Sequence, residues 1–185
     1  MGKQLSALNQ RLIHFINEQK LFFVATTSSN GSINLSPKGL DSFKVMDDNR
    51  VLWLNLTGSG NETAAHLIED SRMTIMFCAF EGPPLILRLY GTAVTYHPRH
   101  DFWKDHISLF PKIEGSRQLV DMKIDLVQTS CGMGVPLMDF KSQRHGLIDW
   151  AEDKGEEGIK EYWEKKNTIS LDGNPTNIFK NKPQH

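Results

Sequence analysis

Apolar residues recur along the first 130 positions in two rhythms, a helical one followed by a series of short extended runs. Leu5, Leu8, Leu12, Phe15 and Ile16 keep three- and four-residue spacing, which predicts an amphipathic helix over 4–19. Leu21-Phe22-Phe23-Val24-Ala25-Thr26-Thr27 is apolar and rich in β-formers, and Ser29-Asn30-Gly31 then turns the chain into a return strand over 32–36, closed by Pro37. Asn-Gly between two extended runs is a strong hairpin signal. The runs 43–46 and 50–56, separated by Asp47-Asp48-Asn49, predict a second hairpin.

The flexible turn Thr57-Gly58-Ser59-Gly60-Asn61 leads into a short helix over 62–68, with Asn61 as its expected N-cap and Glu62 suited to the positive helix start. Two longer strands, 73–80 and 85–96, are joined by Glu81-Gly82-Pro83-Pro84. A helix over 98–109 begins at Pro98, and a further strand runs over 118–130. After the irregular stretch Cys131-Gly132-Met133-Gly134-Val135-Pro136, helices are expected near 143–153 and 156–166, and the polar tail 170–185 is expected to be ordered only by docking. Six or seven short strands in hairpin order with one inserted helix predict a mainly β (α+β) fold, a closed antiparallel barrel rather than a parallel sheet. The expected organisation is a single domain over 1–185, with 140–185 as a C-terminal helical extension. Leu85, Leu87 and Leu89 are more apolar residues than one side of a small barrel interior needs, which points to a subunit interface.

Composition narrows the possible partners. The chain of 185 residues is 39% apolar and 23% charged, ordinary values for a soluble globular protein with room for one core. Its net charge of -1, without a basic block, argues against nucleic acid as a partner. No apolar run approaches the roughly 20 residues that span a membrane, and the charge-interrupted N-terminus does not read as a secretory signal. Cys78 and Cys131 lie far apart without ligand-type partners at metal-binding spacing, so free thiols and a cytoplasmic setting are expected, and no metal.

Three features bear chemistry. In 51–63, a glycine-rich turn enters a helix and leaves backbone N–H groups free for an anion, with Ser59 and Thr63 adding hydroxyls. Glu62 opposes an anion unless it points away, and a plain capped turn is the alternative. In Ser36-Pro37-Lys38-Gly39, a lysine at a strand end sits beside a glycine that lets backbone approach a ligand; a solvated lysine is the alternative. Arg88 interrupts an apolar strand and needs a partner, either a carboxylate (Asp41 or Glu81) or a ligand phosphate. His97, His100, Asp101 and His106 lack metal-binding spacing, and Cys131 lacks a paired base. Gly132 and Gly134 let backbone pass close to something bulky, either a cofactor lined by Met133 or Val135, or simply a turn toward the C-terminal helices.

The order of helix, hairpin, Lys-bearing strand end, hairpin, Asn-containing strand end, short helix and two long strands resembles the pyridoxamine 5'-phosphate oxidase-like superfamily of FMN-binding split barrels. The resemblance covers about residues 10–131 and is most specific in LFFVATTSSNGSINLSPKGLD, VLWLNLTGSGNETAAHLIED and MTIMFCAFEGPPLILRLYGTA. The run GSGNETAAHL followed by FCAFEGPP and LRLYG is similar to a subgroup of members without a settled function. The resemblance implies a homodimer with the flavin between subunits and its phosphate held by a basic residue of the second barrel strand and by the start of the inserted helix. Lys38 matches that basic residue, with Ser36 and Gly39 beside it. Leu54 and Asn55 match the strand end that lines the ring, Ser59, Gly60, Asn61 and Thr63 surround the helix start, and Arg88 matches a ligand-facing position. Gly132 and Met133 are assigned to the pocket from the partner subunit.

Where pyridoxamine phosphate oxidases proper carry an Arg-Lys pair, this chain has Thr63 and Ala64, and residues 150–185 hold no match to their substrate-phosphate segment. The implied function is therefore an FMN-dependent oxidoreductase acting on a small molecule other than vitamin B6. A non-catalytic flavin, deazaflavin or haem binder is the alternative, and a cofactor-free dimer a third.

Overall fold

Period-two burial organises most of the chain into one antiparallel sheet. The computed structural model describes residues 2–180. Its strands are β1 (Lys3–Leu5), β2 (Phe22–Thr26), β3 (Asn34–Lys38), β4 (Phe43–Asp47), β5 (Arg50–Leu56), β6 (Arg72–Cys78), β7 (Ile86–Tyr96) and β8 (Ser116–Ser130). They form an eight-stranded sheet in the order β3-β2-β6-β7-β8-β5-β4, with β1 pairing off this path onto β8. This open antiparallel sheet is a split barrel with peripheral helices α1 (Gln10–Glu18), α2 (Glu62–Glu69), α3 (Asp101–His106) and α4 (Gly146–Lys166). Among the described residues, no helix is long and apolar enough to cross a membrane.

The expected first helix is divided. Leu5 pairs with Val127 in β1, and α1 starts only at Gln10, where the Asn9 side chain accepts the Leu12 N–H at 3.0 Å. The helix-like spacing of Leu5 and Leu8 thus served a strand and a connection, because β8 offered an open edge to pair with. Leu12 and Ile16 of α1 cap the main core of Val24, Trp53, Ile75, Phe77, Leu87 and Leu89. Leu87 and Leu89, expected at a subunit interface, are fully buried inside the protomer.

Strand β5 is buried on both faces. Val51 and Trp53 enter the main core, while Leu52 and Leu54 enter a second cluster with Phe110, Ile113 and Leu119, packed by Phe102 and Ile148. The helix expected over 98–109 is α3 continued by a 3-10 turn, Ile107–Leu109. The two expected C-terminal helices form α4, kinked at Gly155 with φ 64°. Between β7 and β8 the register shifts at Tyr90/Gly91, where a Cβ on Gly91 would lie 1.9 Å from the Lys123 carbonyl oxygen, so only glycine permits the approach.

Beyond α4 the chain doubles back across the sheet end. Asp172 accepts the Ser32 N–H at 2.8 Å and its hydroxyl at 3.0 Å, and the Arg99 guanidinium donates to the carbonyls of Asn177, Ile178 and Lys180. The part of the tail over 181–185 lies outside the described residues.

Candidate functional site

Strand β3 sits at the sheet edge and alternates: Asn34, Ser36 and Lys38 are half-buried on one face, while Leu35 and Pro37 are exposed on the other. Its half-buried face, the end of β5, the loop 57–61 and the start of α2 enclose a cleft of about 720 Å³. The far wall is C-terminal: Lys166, Ile169, Ser170 and Leu171. A cleft of this size suits a cofactor-sized ligand.

Polar side chains line it in two hydrogen-bonded sets. Ser36 Oγ donates to Asn34 Oδ1 (3.1 Å), and Asn34 Nδ2 donates to Thr63 Oγ1 (3.3 Å). Deeper, Asn55 Nδ2 donates to Gln118 Oε1 (2.9 Å), Gln118 Nε2 to Asn61 Oδ1 (3.0 Å), and Asn61 Nδ2 to the Asn167 carbonyl (3.2 Å). Asn61 therefore does not cap α2 as expected, because its amide is engaged by Gln118 and Asn167, and the first N–H groups of α2 have no side-chain cap. Asn55 Oδ1 is buried at the cleft without a partner among the described residues.

Three cations line this space, Lys38, Arg117 and Lys166. The Lys38 ammonium lies over the Trp53 ring, 5.1 Å from its centroid, and forms no ion pair among the described residues. Burial, with Arg117 nearby, pushes it down to about 8. Arg117, at the head of β8, is only 3% exposed. Its Nη1 donates to the Gly60 carbonyl (2.9 Å) and to Asn167 Oδ1 (2.7 Å), while its Nε is buried without a partner. Burial pushes this guanidinium down to about 9. The acid in the cleft lining, Glu62, accepts the Leu171 N–H on Oε2 at 2.9 Å, so one of its oxygens is committed to the C-terminal wall. Uncapped helix N–H groups and the cations Lys38, Arg117 and Lys166 favour an anion at this end of the cleft, with the Glu62 carboxylate, which acts on Arg117, opposing it.

Of the residues singled out from sequence, the cleft brings together Ser36, Lys38, Asn55, Ser59, Gly60, Asn61 and Thr63. The others lie elsewhere. Leu54 is fully buried in the second core cluster. Gly39 borders a separate cleft beside Lys20 and Gln143. Arg88 is half-buried on β7 and donates to Ser130 Oγ at 3.2 Å. Neither expected carboxylate partners it, since Asp41 pairs with Lys44 and Glu81 accepts the Phe140 N–H. Gly132 has φ 71°, and a Cβ there would meet the Leu85 backbone at 2.7–3.1 Å, so it serves a turn against the start of β7; Met133 is 81% exposed.

His97 and His100 face each other with ring centroids 5.6 Å apart, and burial followed by Arg99 drives His97 down to about 3. His106 stacks on Phe102, and Asp101 pairs with Lys104. Among the described residues, no three His, Cys, Asp or Glu side chains gather as for a metal ion. Burial raises the Cys78 thiol, whereas Cys131 is exposed.

Sequence reasoning passed over Arg117, Gln118, Asn167 and the wall from Lys166 to Leu171. Arg117 and Gln118 open a strand that carries further charges at Asp121, Lys123 and Asp125, so nothing along the chain set them apart. Asn167 follows a helix end, where a polar residue is commonplace.

Comparison with known proteins agrees with this architecture. The pyridoxamine 5'-phosphate oxidase family model matches residues 8–131. The pyridoxamine 5'-phosphate oxidase family protein ustO of Aspergillus flavus is 36% identical over 190 residues, covering 91% of this chain and 75% of that protein. Among solved structures, a putative pyridoxamine 5'-phosphate oxidase from Lactobacillus delbrueckii is similar with a TM-score of 0.53 at 21% identity, over 66% of this chain and 94% of its own. HupZ from Group A Streptococcus has a TM-score of 0.51 at 20% identity, over 64% of this chain and 91% of its own. These two likenesses concern the fold. From the match over 8–131 and the identity to the Aspergillus protein, this chain belongs to the pyridoxamine 5'-phosphate oxidase family.

Proposed function

We propose that this chain binds flavin mononucleotide in the cleft beside β3 and α2 and acts as an FMN-dependent oxidoreductase on a small molecule other than vitamin B6. The observation that carries this reading is Lys38, a desolvated cation without a carboxylate partner, facing the uncapped start of α2. A phosphate there gains a charge-assisted contact and the helix N–H groups together. Bound flavin supplies hydride transfer. The chain supplies position: Lys38 holds the phosphate end, the amides of Asn55, Gln118 and Asn61 fix the depth, and Ile169 and Leu171 offer apolar wall to whatever enters beside it. We place the working protein as a homodimer in the cytoplasm, one domain per chain with the C-terminal helical segment completing it. Exposed Ile33 and Leu35, at and beside the outer face of β3, are apolar surface suited to a partner subunit.

A non-catalytic flavin carrier is the second reading. It is favoured by one feature: the acid lining the cleft, Glu62, is tied to Leu171, and no histidine lines it among the described residues. Mass spectrometry of the molecule released on denaturation, and titration of the purified protein with FMN, test the shared premise; a protein that neither carries nor takes up flavin contradicts both readings. Reduction of the bound flavin by NAD(P)H, followed by reoxidation with a small-molecule acceptor, selects the enzyme.

A further inference from the structure

Past α4 the chain returns to the cleft as a tight hairpin over 168–176, outside the segment matched by the family model. The Ser170 N–H donates to the Asn174 carbonyl (2.8 Å), the Thr176 N–H donates to the Thr168 carbonyl (3.0 Å), and Ile169 bridges Pro175. Its root is rigid. Asn167 and Thr176 are fully buried; Asn167 donates from Nδ2 to the Gly58 carbonyl (3.1 Å), accepts from Arg117 on Oδ1 (2.7 Å) and accepts from Asn61 on its carbonyl (3.2 Å). On the far side Ile178 is buried, and Arg99 donates to the carbonyls of Asn177, Ile178 and Lys180. The tip is the opposite: Ile169 and Leu171 line the cleft yet are 58% and 81% exposed.

Two carboxylates tie that tip down, one on each side of the cleft. Glu62, the first residue of α2, accepts the Leu171 N–H at 2.9 Å. Asp172 accepts the Ser32 N–H at 2.8 Å and its hydroxyl at 3.0 Å, in the turn between β2 and β3. Both latches are exposed, whereas the root is not. A buried root with a tip held by a few solvent-exposed bonds opens locally long before the domain unfolds. Through Glu62 the hairpin rests on the start of α2, so a ligand that ends there fits beneath it and one that continues past that point meets Leu171. Charge does not decide the matter, because Lys166 on the same wall attracts a further phosphate while Glu62 and Asp172 repel it. Bulk does.

We propose that the hairpin 168–176 is a specificity gate of the cleft: closed, it admits a mononucleotide and rejects a dinucleotide, with Leu171 as the obstructing residue and Asp172 as the latch. The proposal rests on the flavin reading. FMN binds whether the hairpin is shut or open, whereas FAD binds only the open fraction, and its affinity is reduced by that fraction.

Isothermal titration with FMN and with FAD reads the gate, and hydrogen exchange of the ligand-free protein reads the latch. The wild-type protein is expected to bind FAD at least about thirtyfold more weakly than FMN. Asp172→Ala is expected to raise FAD affinity about tenfold, the scale of the bonds it removes, to leave FMN affinity within about threefold, and to quicken exchange at the amides of 170, 173 and 174. Leu171→Gly removes the obstruction while keeping the N–H that Glu62 accepts, and narrows the FMN-to-FAD ratio by a similar factor. If Asp172→Ala leaves exchange unchanged, Leu171→Gly carries the decision. A purely structural hairpin would lose thermal stability in both variants with the ratio unchanged, which overturns the gate and leaves the flavin reading standing. Equal affinity for FMN and FAD in the wild type overturns it in the same way. Uptake of neither flavin by the wild type or either variant removes the flavin reading and the gate together.

Discussion

Arg88 and Arg117 both belong to long strands of the sheet, Arg88 within an apolar run of β7 and Arg117 at the head of β8, and the fold treats them differently. Arg88 lies half-buried on β7, and one hydroxyl, Ser130 Oγ, satisfies part of its guanidinium. Arg117 lies under the C-terminal segment, nearly solvent-free, with only neutral partners. Solvent reaches the first arginine, whereas the second makes no ion pair among the described residues and has only Tyr162 and Glu62 acting on it electrostatically, beyond hydrogen-bond contact. A buried charge whose hydrogen-bond partners are all neutral is the stronger mark of a ligand site, because its desolvation is only partly offset by the chain.

The largest test of this contrast is stability. Arg117→Ala leaves a buried acceptor, Asn167 Oδ1, and a part-buried one, the Gly60 carbonyl, without their donor, and is expected to cost about 3 kcal/mol, net of the charge it removes. Arg88→Ala is expected to cost under about 1 kcal/mol. Urea denaturation of both variants measures the difference, and equal costs would erase the distinction drawn between them.

Lys38 sharpens it further. Its charge is desolvated in the ligand-free protein, so Lys38→Met is expected to raise stability by about 1–2 kcal/mol in thermal denaturation while FMN affinity falls. A simple structural lysine would show a loss of stability instead.

The pH dependence follows in sign. Lys38 titrates at about 8 in the folded protein against 10.5 when unfolded, so the folded state binds fewer protons between those values. Its burden on ligand-free stability is absent above 10.5, grows as pH falls toward 8, and is complete below that. FMN affinity runs the other way, weakening as pH rises through 8 and the ammonium is lost. Lys38→Arg, charged throughout, is expected to flatten that affinity profile between about pH 7 and 9.5; a profile with the same slope would take the titration away from Lys38.

The smallest expected effect is on the opposite arginine. Arg88→Ala is expected to change FMN affinity by less than about threefold, since its side chain lies outside the cleft. A loss as large as that of Lys38→Met, seen by titration calorimetry, would return Arg88 to the binding surface.

What the amino-acid order determined by itself was local. Alternating burial in 22–26 and 34–38 specified a hairpin, and the glycine-rich turn 57–61 before α2 specified a place where backbone donors are free, because each depends on neighbours a few residues away. Lys38 was legible for the same reason, at a strand end beside Gly39. The division of residues 4–19 into β1 and α1 was not, since it depended on pairing with Val127 on β8. Arg117 and Asn167 were hidden in the same way: they are 50 residues apart, and the desolvation that gives Arg117 its meaning exists only once the C-terminal segment has folded over the cleft. Secondary structure answers to spacing, but the solvation of a charge answers to everything packed around it, and only the tertiary structure assembles that.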